Sequence, residues 1–207
     1  MSIEAMIGED RIIPVLAFES VEEAVDVSQI LVDGGIRLLE ITLRTKAALD
    51  AIRVVSNAIP DAIVGVGTVL DPKNLEDAMN AGARFGVSPG LTPALANAIA
   101  ANDFPFIPGV GTVSEMLAAR DRGHHVLKLF PAEVLGGVKL LKSLVDVVQD
   151  VSFCTTGGIN PGNARDYLAT PNVRAIGGSW MIKRTDDKKI DLEATQKAVE
   201  ACHALLE

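Results

Sequence analysis

The sequence predicts an α/β protein that forms a single domain over residues 1–207, a (β/α)8 TIM barrel, and two observations support this prediction. Apolar, mostly β-branched runs recur with glycines or polar residues at their ends, and the starts of successive runs lie 20 to 26 residues apart. That spacing has room for one strand and one helix. The runs are also nearly continuous in apolar residues, as is typical of parallel strands buried on both faces. An open, doubly wound sheet has similar local signals and is the alternative fold.

Eight runs are predicted to be strands, and the segments between them are predicted to be helices. The predicted strands are 12–18, 38–44, 62–68, 85–90, 105–111, 126–131, 152–158 and 174–180. Ser20 with Glu23 fits a capping box at the start of a helix. A capping side chain stands before a proline at the first helical position in three places, at Asp71, Thr92 and Asn160. Apolar residues at helical spacing over 192–206 predict a closing helix.

The composition is typical of a soluble globular protein, with 48% hydrophobic residues, 22% charged residues and a formal net charge of −8. The negative charge argues against a nucleic-acid surface. No apolar stretch approaches the roughly 20 residues of a membrane span, and residues 1–10 lack the pattern of a signal peptide. We therefore expect a cytoplasmic protein with no nucleic-acid or membrane partner.

The sequence gives little support for a metal or a cofactor. The glycines that end the third predicted strand are not followed by the third glycine of a dinucleotide fingerprint. His124 and His125 are expected to form a turn and a strand entrance, and no histidine stands in a ligand cluster. Cys154 and Cys202 are expected to be packing residues. We therefore expect no metal ion and no cofactor.

Lys128 lies in the middle of a short apolar run that ends at a proline. Burying an ammonium without a partner costs several kcal/mol, so this lysine needs either a salt bridge to a carboxylate or a role as a neutral amine that attacks a carbonyl. The other lysines lie in polar turns or on predicted helix surfaces. Phe130 shares the parity of Lys128 along the strand and is expected to form an apolar wall beside the amine.

Glu40, Thr42 and Arg44 share one face of the second predicted strand, and apolar residues occupy the other face. The apolar face must meet the helices, so the polar face is expected to point into the barrel. One interpretation is an internal ion pair of Glu40 and Arg44 that stabilises the barrel, with Lys128 as a third member. The functional interpretation is a carboxylate for proton transfer and a guanidinium that recognises a substrate carboxylate.

The last two predicted strands end in the glycine-containing segments 155–159 and 177–179. Glycines there let backbone N–H groups approach an anion, and barrels often hold a phosphate after their seventh and eighth strands. Paired glycines also form tight turns without a ligand. Because the two segments occur together at the final strand ends, they favour a phosphate site.

At these residues the sequence resembles the class I 2-keto-3-deoxy-6-phosphogluconate (KDPG) aldolases, a family also active on 4-hydroxy-2-oxoglutarate (KHG). Six motifs carry the resemblance in the correct order along nearly the whole chain. They are LEITLRT at 39–45, GVGTVL at 65–70, VSPGLT at 87–92, KLFPAE at 128–133, TGGI at 156–159 and GGSW at 177–180.

The resemblance implies that Lys128 forms an imine with the substrate and that Glu40 transfers protons. It also implies the binding residues and a homotrimer. The pyruvate portion would be held by Arg44 and Thr68, with Pro89 in the same pocket. The phosphate side would comprise Thr156, Gly157, Gly158, Gly178 and Ser179.

We therefore expect a Schiff-base lyase that cleaves KDPG to pyruvate and glyceraldehyde 3-phosphate, and KHG to pyruvate and glyoxylate. Three competing functions stay open. A related aldolase would act on the galactonate epimer or chiefly on the unphosphorylated keto acid. A phosphate-binding barrel isomerase would use the glycine motifs but would form no imine. A binding or scaffold protein would keep the three charges as a stability network.

Overall fold

A computed structural model of the protein describes residues 1–8 and 10–206. In that part of the chain, nine parallel strands and nine helices alternate, and the strands form a nearly closed barrel. The strands are β1 Ile12–Leu16, β2 Leu38–Thr42, β3 Ile63–Gly67, β4 Phe85–Val87, β5 Phe106–Ile107, β6 Gly109–Val110, β7 Val126–Leu129, β8 Ser152–Thr156 and β9 Val173–Gly178. The helices are α1 Ile3–Ile7, α2 Val21–Asp33, α3 Ala48–Ala58, α4 Pro72–Ala81, α5 Pro93–Asn102, α6 Val113–Arg120, α7 Gly137–Leu144, α8 Ala164–Leu168 and α9 Leu192–His203.

The short strands β5 and β6 together occupy one strand position of the barrel. Pro108 separates them, and proline has no N–H to donate to a strand ladder. The Ser88 N–H donates to the Ile107 carbonyl on one side, and the Lys128 N–H donates to the Pro108 carbonyl on the other. The interrupted strand formed by β5 and β6 therefore joins β4 to β7, and the barrel has eight strand positions. This confirms the predicted (β/α)8 fold and excludes the doubly wound alternative.

Most of the predicted helix starts are confirmed, and one capping box is only half formed. Asp71 and Thr92 each accept a hydrogen bond from a backbone N–H in the first turn of a helix that starts with proline. Ser20 likewise accepts from the Glu23 N–H. The Glu23 carboxylate, however, accepts from the Glu19 N–H instead of the Ser20 N–H that a capping box requires.

Two predicted helix boundaries near the C-terminus were wrong. Asn160 does not cap a helix, because its side-chain oxygen accepts from the Gly162 N–H and forms a local turn, so α8 starts only at Ala164. The closing helix was predicted over 192–206 but ends at His203. The Leu206 N–H donates to the His203 carbonyl, three residues back, so the chain tightens into a turn there.

The apolar residues form two cores that the barrel wall separates. The larger core lies between the strands and the surrounding helices. The smaller core fills the barrel interior, and Ile3, Met6 and Ile7 of α1, a helix that the sequence did not predict, pack against it. Strand residues of this inner core are Ile13, Leu38, Phe85, Val87, Ile107, Val126, Cys154 and Ala175. The packed interior leaves the carboxyl ends of the strands as the place where a cavity can form.

None of the helices in 1–8 and 10–206 combines the length and the apolar character that crossing a membrane requires.

Candidate active site

A cavity of about 390 Å³ lies at the carboxyl ends of the strands. All eleven residues predicted to form the site are among the residues that line it. The lining residues are Val15, Glu40, Thr42, Arg44, Thr68, Pro89, Lys128, Phe130, Thr156, Gly157, Gly158, Ile159, Gly177, Gly178 and Ser179. The structure thus brings the predicted residues together, while the role of each stays a prediction.

Lys128 and Glu40 form a buried ion pair across the barrel. Lys128 lies on β7 and Glu40 on β2, and these two strands lie on opposite sides of the barrel. The Lys128 Nζ atom is 3.1 Å from Glu40 Oε1, and their side chains are only 8% and 3% exposed. The carboxylate is therefore close enough to exchange a proton directly with the amine.

Gly67 makes the room that the Glu40 carboxylate occupies. A Cβ atom at Gly67 would lie 2.3 Å from Glu40 Oε1 and 2.6 Å from Glu40 Cγ. No real Cβ atom approaches another heavy atom so closely, and any other residue there would displace the carboxylate. From the sequence alone, this glycine was interpreted only as the end of a strand. Its position on the strand next to the one that carries Glu40 is the signal that could have identified it.

Arg44 does not pair with Glu40, which contradicts the structural interpretation of an internal Glu40–Arg44 pair. Its Nε atom donates to Thr42 Oγ1 at 3.0 Å, and the Thr42 hydroxyl donates to the Leu16 carbonyl at 2.7 Å. Across 1–8 and 10–206, the guanidinium makes no ion pair with a carboxylate. Glu40 is therefore the charged partner of Lys128, and the Arg44 cation is left for another anion.

Thr68 lines the cavity in a strained backbone conformation. Its φ is 62°, in the left-handed region that β-branched residues avoid. Such residues cost about 1–3 kcal/mol and cluster at functional sites. The half-buried Thr68 follows Gly67 directly, so the strained turn begins where the chain makes room for Glu40.

The Phe130 ring lies beside the amine, with its centroid 5.5 Å from Lys128 Nζ. The sequence predicts an apolar wall here that helps to keep the amine uncharged, and the ring occupies the predicted place. At this distance the negative face of the ring can attract a cation. The Glu40 carboxylate is the group within reach of the amine proton.

Cys154 packs beneath the ion pair and is paired in register with Lys128 on the adjacent strand. Burial, with a smaller contribution from the Glu40 charge, raises the pKa of the Cys154 thiol to about 12, although Lys128 opposes the change. The thiol therefore stays protonated and packs as an apolar group.

Two residues outside the cavity are also affected by burial. Burial raises the pKa of the Cys202 thiol. It lowers the pKa of His124, and the nearby Arg122 charge lowers it further.

The other end of the cavity is built from backbone. Gly157 and Gly158 have φ values of 99° and 86°, which favour glycine. The Gly157 carbonyl accepts from the Glu133 N–H at 3.1 Å, and the Gly158 carbonyl accepts from the Asn163 side chain at 3.0 Å. Within the described residues the N–H groups of these two glycines donate to no backbone or side-chain acceptor. Their carbonyls are held and their amides are free to bind an anion.

A hydrogen bond between Tyr167 and Glu133 supports this glycine loop from below. The Tyr167 hydroxyl donates to Glu133 Oε1. The Glu133 side chain in turn lies against the loop, since a Cβ at Gly158 would be 2.4 Å from Glu133 Cγ. Burial, followed by the hydrogen bond and the charge of Glu133, raises the pKa of the Tyr167 phenol above its usual range. Tyr167 was not predicted from the sequence, where its only signal is an aromatic residue in a short helix.

The fold and the cavity define a class of protein: a (β/α)8 barrel with a buried lysine–carboxylate pair at the carboxyl ends of its strands and a glycine-rich loop after its second-last strand. The model of the KDPG and KHG aldolase family matches residues 3–198. The chain therefore belongs to the KDPG and KHG aldolase family, whose members are aldehyde-lyases.

Individual relatives agree with this assignment. The KHG/KDPG aldolase of Escherichia coli K12 is 47% identical over 181 residues, which cover 87% of this chain and 85% of that protein. The KDPG aldolase of Legionella pneumophila, solved with pyruvate captured as a covalent carbinolamine intermediate, is 38% identical with a TM-score of 0.93. That alignment covers 97% of this chain and 98% of the Legionella chain. The KDPG aldolase of Zymomonas mobilis ZM4, solved with 3-phosphoglycerate, is also 38% identical, with a TM-score of 0.92 and coverage of 98% and 95%.

Proposed function

We propose that this protein is a class I aldolase that cleaves KDPG to pyruvate and glyceraldehyde 3-phosphate and KHG to pyruvate and glyoxylate. The observation that carries the proposal is the buried contact of 3.1 Å between Lys128 Nζ and Glu40 Oε1. It supplies a nucleophile and a proton acceptor in one place. The covalent carbinolamine in the Legionella relative shows the same bond chemistry in a member of the family.

The first stage forms an imine on Lys128. The ammonium gives a proton to Glu40, and the neutral Nζ attacks the C2 carbonyl carbon of the 2-keto acid. Glu40 returns the proton to the developing alkoxide and then takes a proton from the nitrogen, which gives a neutral carbinolamine. Glu40 delivers that second proton to the new hydroxyl, water leaves, and a protonated imine remains. The distance of 3.1 Å between Lys128 Nζ and Glu40 Oε1 supports a direct transfer of the first proton.

The second stage breaks the bond between C3 and C4. The 4-hydroxyl loses its proton to Glu40, directly or through a water, and the electrons of the C3–C4 bond move into the protonated imine. The aldehyde leaves and an enamine remains on Lys128. Glu40 protonates the enamine at C3, and water then hydrolyses the imine, releasing pyruvate and the free amine.

The two ends of the cavity would bind the two ends of the substrate. At the keto-acid end, the Arg44 guanidinium binds the carboxylate, Thr68 and Pro89 line its pocket, and Phe130 covers the amine. At the other end, the free amides of the glycine loop bind the phosphate. Thr156, Gly157, Gly158, Gly178 and Ser179 form that phosphate side.

The test is pyruvate release from KDPG and from KHG, assayed in parallel with the galactonate epimer of KDPG. We expect the wild-type protein to release pyruvate from the first two and Lys128→Met to release none. Preference for the galactonate epimer would change the substrate but keep the mechanism. Isomerisation without pyruvate release, or a wild-type rate in Lys128→Met, would contradict the proposal.

Three further expectations from the sequence are also part of the proposal. Residues 1–207 act as one domain, the protein works in the cytoplasm, and three copies form a homotrimer. The formal charge of −8 argues against a nucleic-acid partner.

A further inference from the structure

We propose that Thr42 is a positioning residue for the reaction, which holds the Arg44 guanidinium with its two terminal nitrogens toward the carboxylate of the 2-keto acid. The proposal rests on the proposed function and adds a residue to it. Thr42 lines the cavity but was not among the residues that the sequence predicted to bind substrate.

The direction of each hydrogen bond at Thr42 is fixed by chemistry. The Leu16 carbonyl, 2.7 Å from Thr42 Oγ1, can only accept, so the hydroxyl must donate its single hydrogen there. The lone pairs of the oxygen then accept from Arg44 Nε at 3.0 Å. Thr42 is 1% exposed, so water does not compete for these positions. The β1 carbonyl thus orients the hydroxyl, and the hydroxyl orients the arginine.

The hydrogen bond to Thr42 uses the Nε–H of Arg44. The N–H groups of the two Nη atoms remain available to a ligand. In the part of the chain that the structure describes, the only hydrogen bond of the Arg44 side chain is the one to Thr42. The Nη atoms are thus free for a two-pronged bond to a carboxylate. Arg44 is exposed at the cavity mouth, where a long side chain without this tie would lose its orientation and bind a carboxylate less tightly.

The chain contains a matched control three residues further on. The Thr45 hydroxyl donates to the Phe18 carbonyl at 2.6 Å. This bond is of the same kind and joins the same two neighbouring segments of chain. Among the residues that the structure describes, however, no arginine donates a hydrogen bond to the Thr45 hydroxyl. Thr45→Val therefore removes an equivalent tie between the segments and leaves Arg44 untouched.

The experiment measures the pyruvate concentration that gives half the maximal rate of imine trapping by borohydride. Thr42→Val should raise that concentration by about tenfold, the loss of one hydrogen bond to a charged group. Thr42→Ser keeps the hydroxyl, and Thr45→Val keeps the hydrogen bond between Thr42 and Arg44. In both variants the half-maximal pyruvate concentration should therefore stay within about twofold of the wild-type value. In KDPG cleavage, Thr42→Val should raise KM and leave kcat within about threefold, because Lys128 and Glu40 are unchanged.

A neutral probe separates positioning from a structural role. Pyruvamide has the same ketone but no carboxylate, so its trapping should be the same in Thr42→Val and wild type. Thr42→Ala should show the same selective loss if Thr42→Val does not fold. Equal losses for pyruvate and pyruvamide, or an effect of Thr45→Val as large as that of Thr42→Val, would overturn the proposal. A wild-type protein that traps neither ketone would contradict the proposed function itself.

Discussion

The keto-acid end and the phosphate end of the cavity offer hydrogen-bond donors in different ways. The keto-acid end, around Lys128, Glu40 and Arg44, uses charged side chains from β2 and β7. The phosphate end, around Gly157 and Gly158, uses backbone amides in a loop whose carbonyls are held by neighbouring groups. In the proposed mechanism, the first end carries the covalent chemistry and the second positions the substrate.

The difference has a physical reason. A nucleophile and a proton carrier must change charge during the reaction, and only side chains can do so. A phosphate keeps its charge throughout, so fixed amides are sufficient to bind it. Substitutions at the two ends should therefore differ in kind. Those at the keto-acid end should affect KDPG and KHG alike, while those at the phosphate end should affect KDPG alone.

Glu40→Gln should have the largest effect of the four substitutions considered. The amide keeps the size of the side chain but cannot accept the Lys128 proton, so kcat/KM for both substrates should fall by about 10²–10⁴-fold. Steady-state pyruvate release measures the loss. Glu133→Gln, which removes a carboxylate near the other end, is the control and should change KHG cleavage by less than about threefold. A loss confined to KDPG would place Glu40 at the wrong end.

Gly67→Ala should give the next largest loss. The added Cβ would lie 2.3 Å from Glu40 Oε1, so the carboxylate must move away from Lys128. A displacement of about 1 Å can cost on the order of 10²-fold in rate, and we expect that loss for both substrates. Gly90→Ala is a suitable control, because its added Cβ would meet nothing within 4 Å. Unchanged KHG cleavage in Gly67→Ala would show that the carboxylate does not need its present position.

Gly158→Ala should separate the two ends of the cavity. The new Cβ would meet Glu133 Cγ at 2.4 Å and the backbone φ of 86° disfavours alanine, so the loop must shift. We expect KM for KDPG to rise by about tenfold, the value of one charge-assisted hydrogen bond, with KHG cleavage little changed. The ratio of the two kcat/KM values is the measurement. A ratio equal to that of wild type would contradict the assignment of the phosphate end.

Thr68→Gly should have the smallest effect, and it concerns stability. Glycine relieves the strain of φ 62° but loses more conformational entropy on folding. The free energy of unfolding should therefore rise by no more than about 1 kcal/mol, while activity falls because a residue of the cavity is lost. Denaturant unfolding and pyruvate release, measured on the same preparations, test both parts. A loss of more than about 1 kcal/mol would show that Thr68 packing outweighs the strain.

The same division between side chains and backbone explains how much could be predicted from the sequence. Lys128 could be predicted as a site residue because a charge in an apolar strand is costly without a partner. Glu40 could be predicted because its parity along the strand places its side chain inside the barrel. The repeat of strands and helices predicted the fold. The hydrogen bonds of Thr42 and Tyr167 were not predicted, because each joins segments that are distant in the sequence.

The position of the charged groups relative to one another also required the structure. The sequence could not decide whether Glu40 or Arg44 lies closer to Lys128, since β2 carries both. The barrel geometry turns Glu40 toward the amine, while Thr42 holds Arg44 through its Nε atom. The prediction of a helix boundary was wrong where a side chain forms a local hydrogen bond with the backbone instead of capping a helix, as at Asn160.

The most direct test of the central claim is reduction of the protein with borohydride in the presence of pyruvate, followed by peptide mapping. We expect a single covalent adduct, on Lys128, and loss of activity in proportion to its formation. The surface residue Lys73, which pairs with Asp77 in solvent, is the internal control and should stay unmodified. An unmodified Lys128 in a protein that retains full aldolase activity would contradict the account.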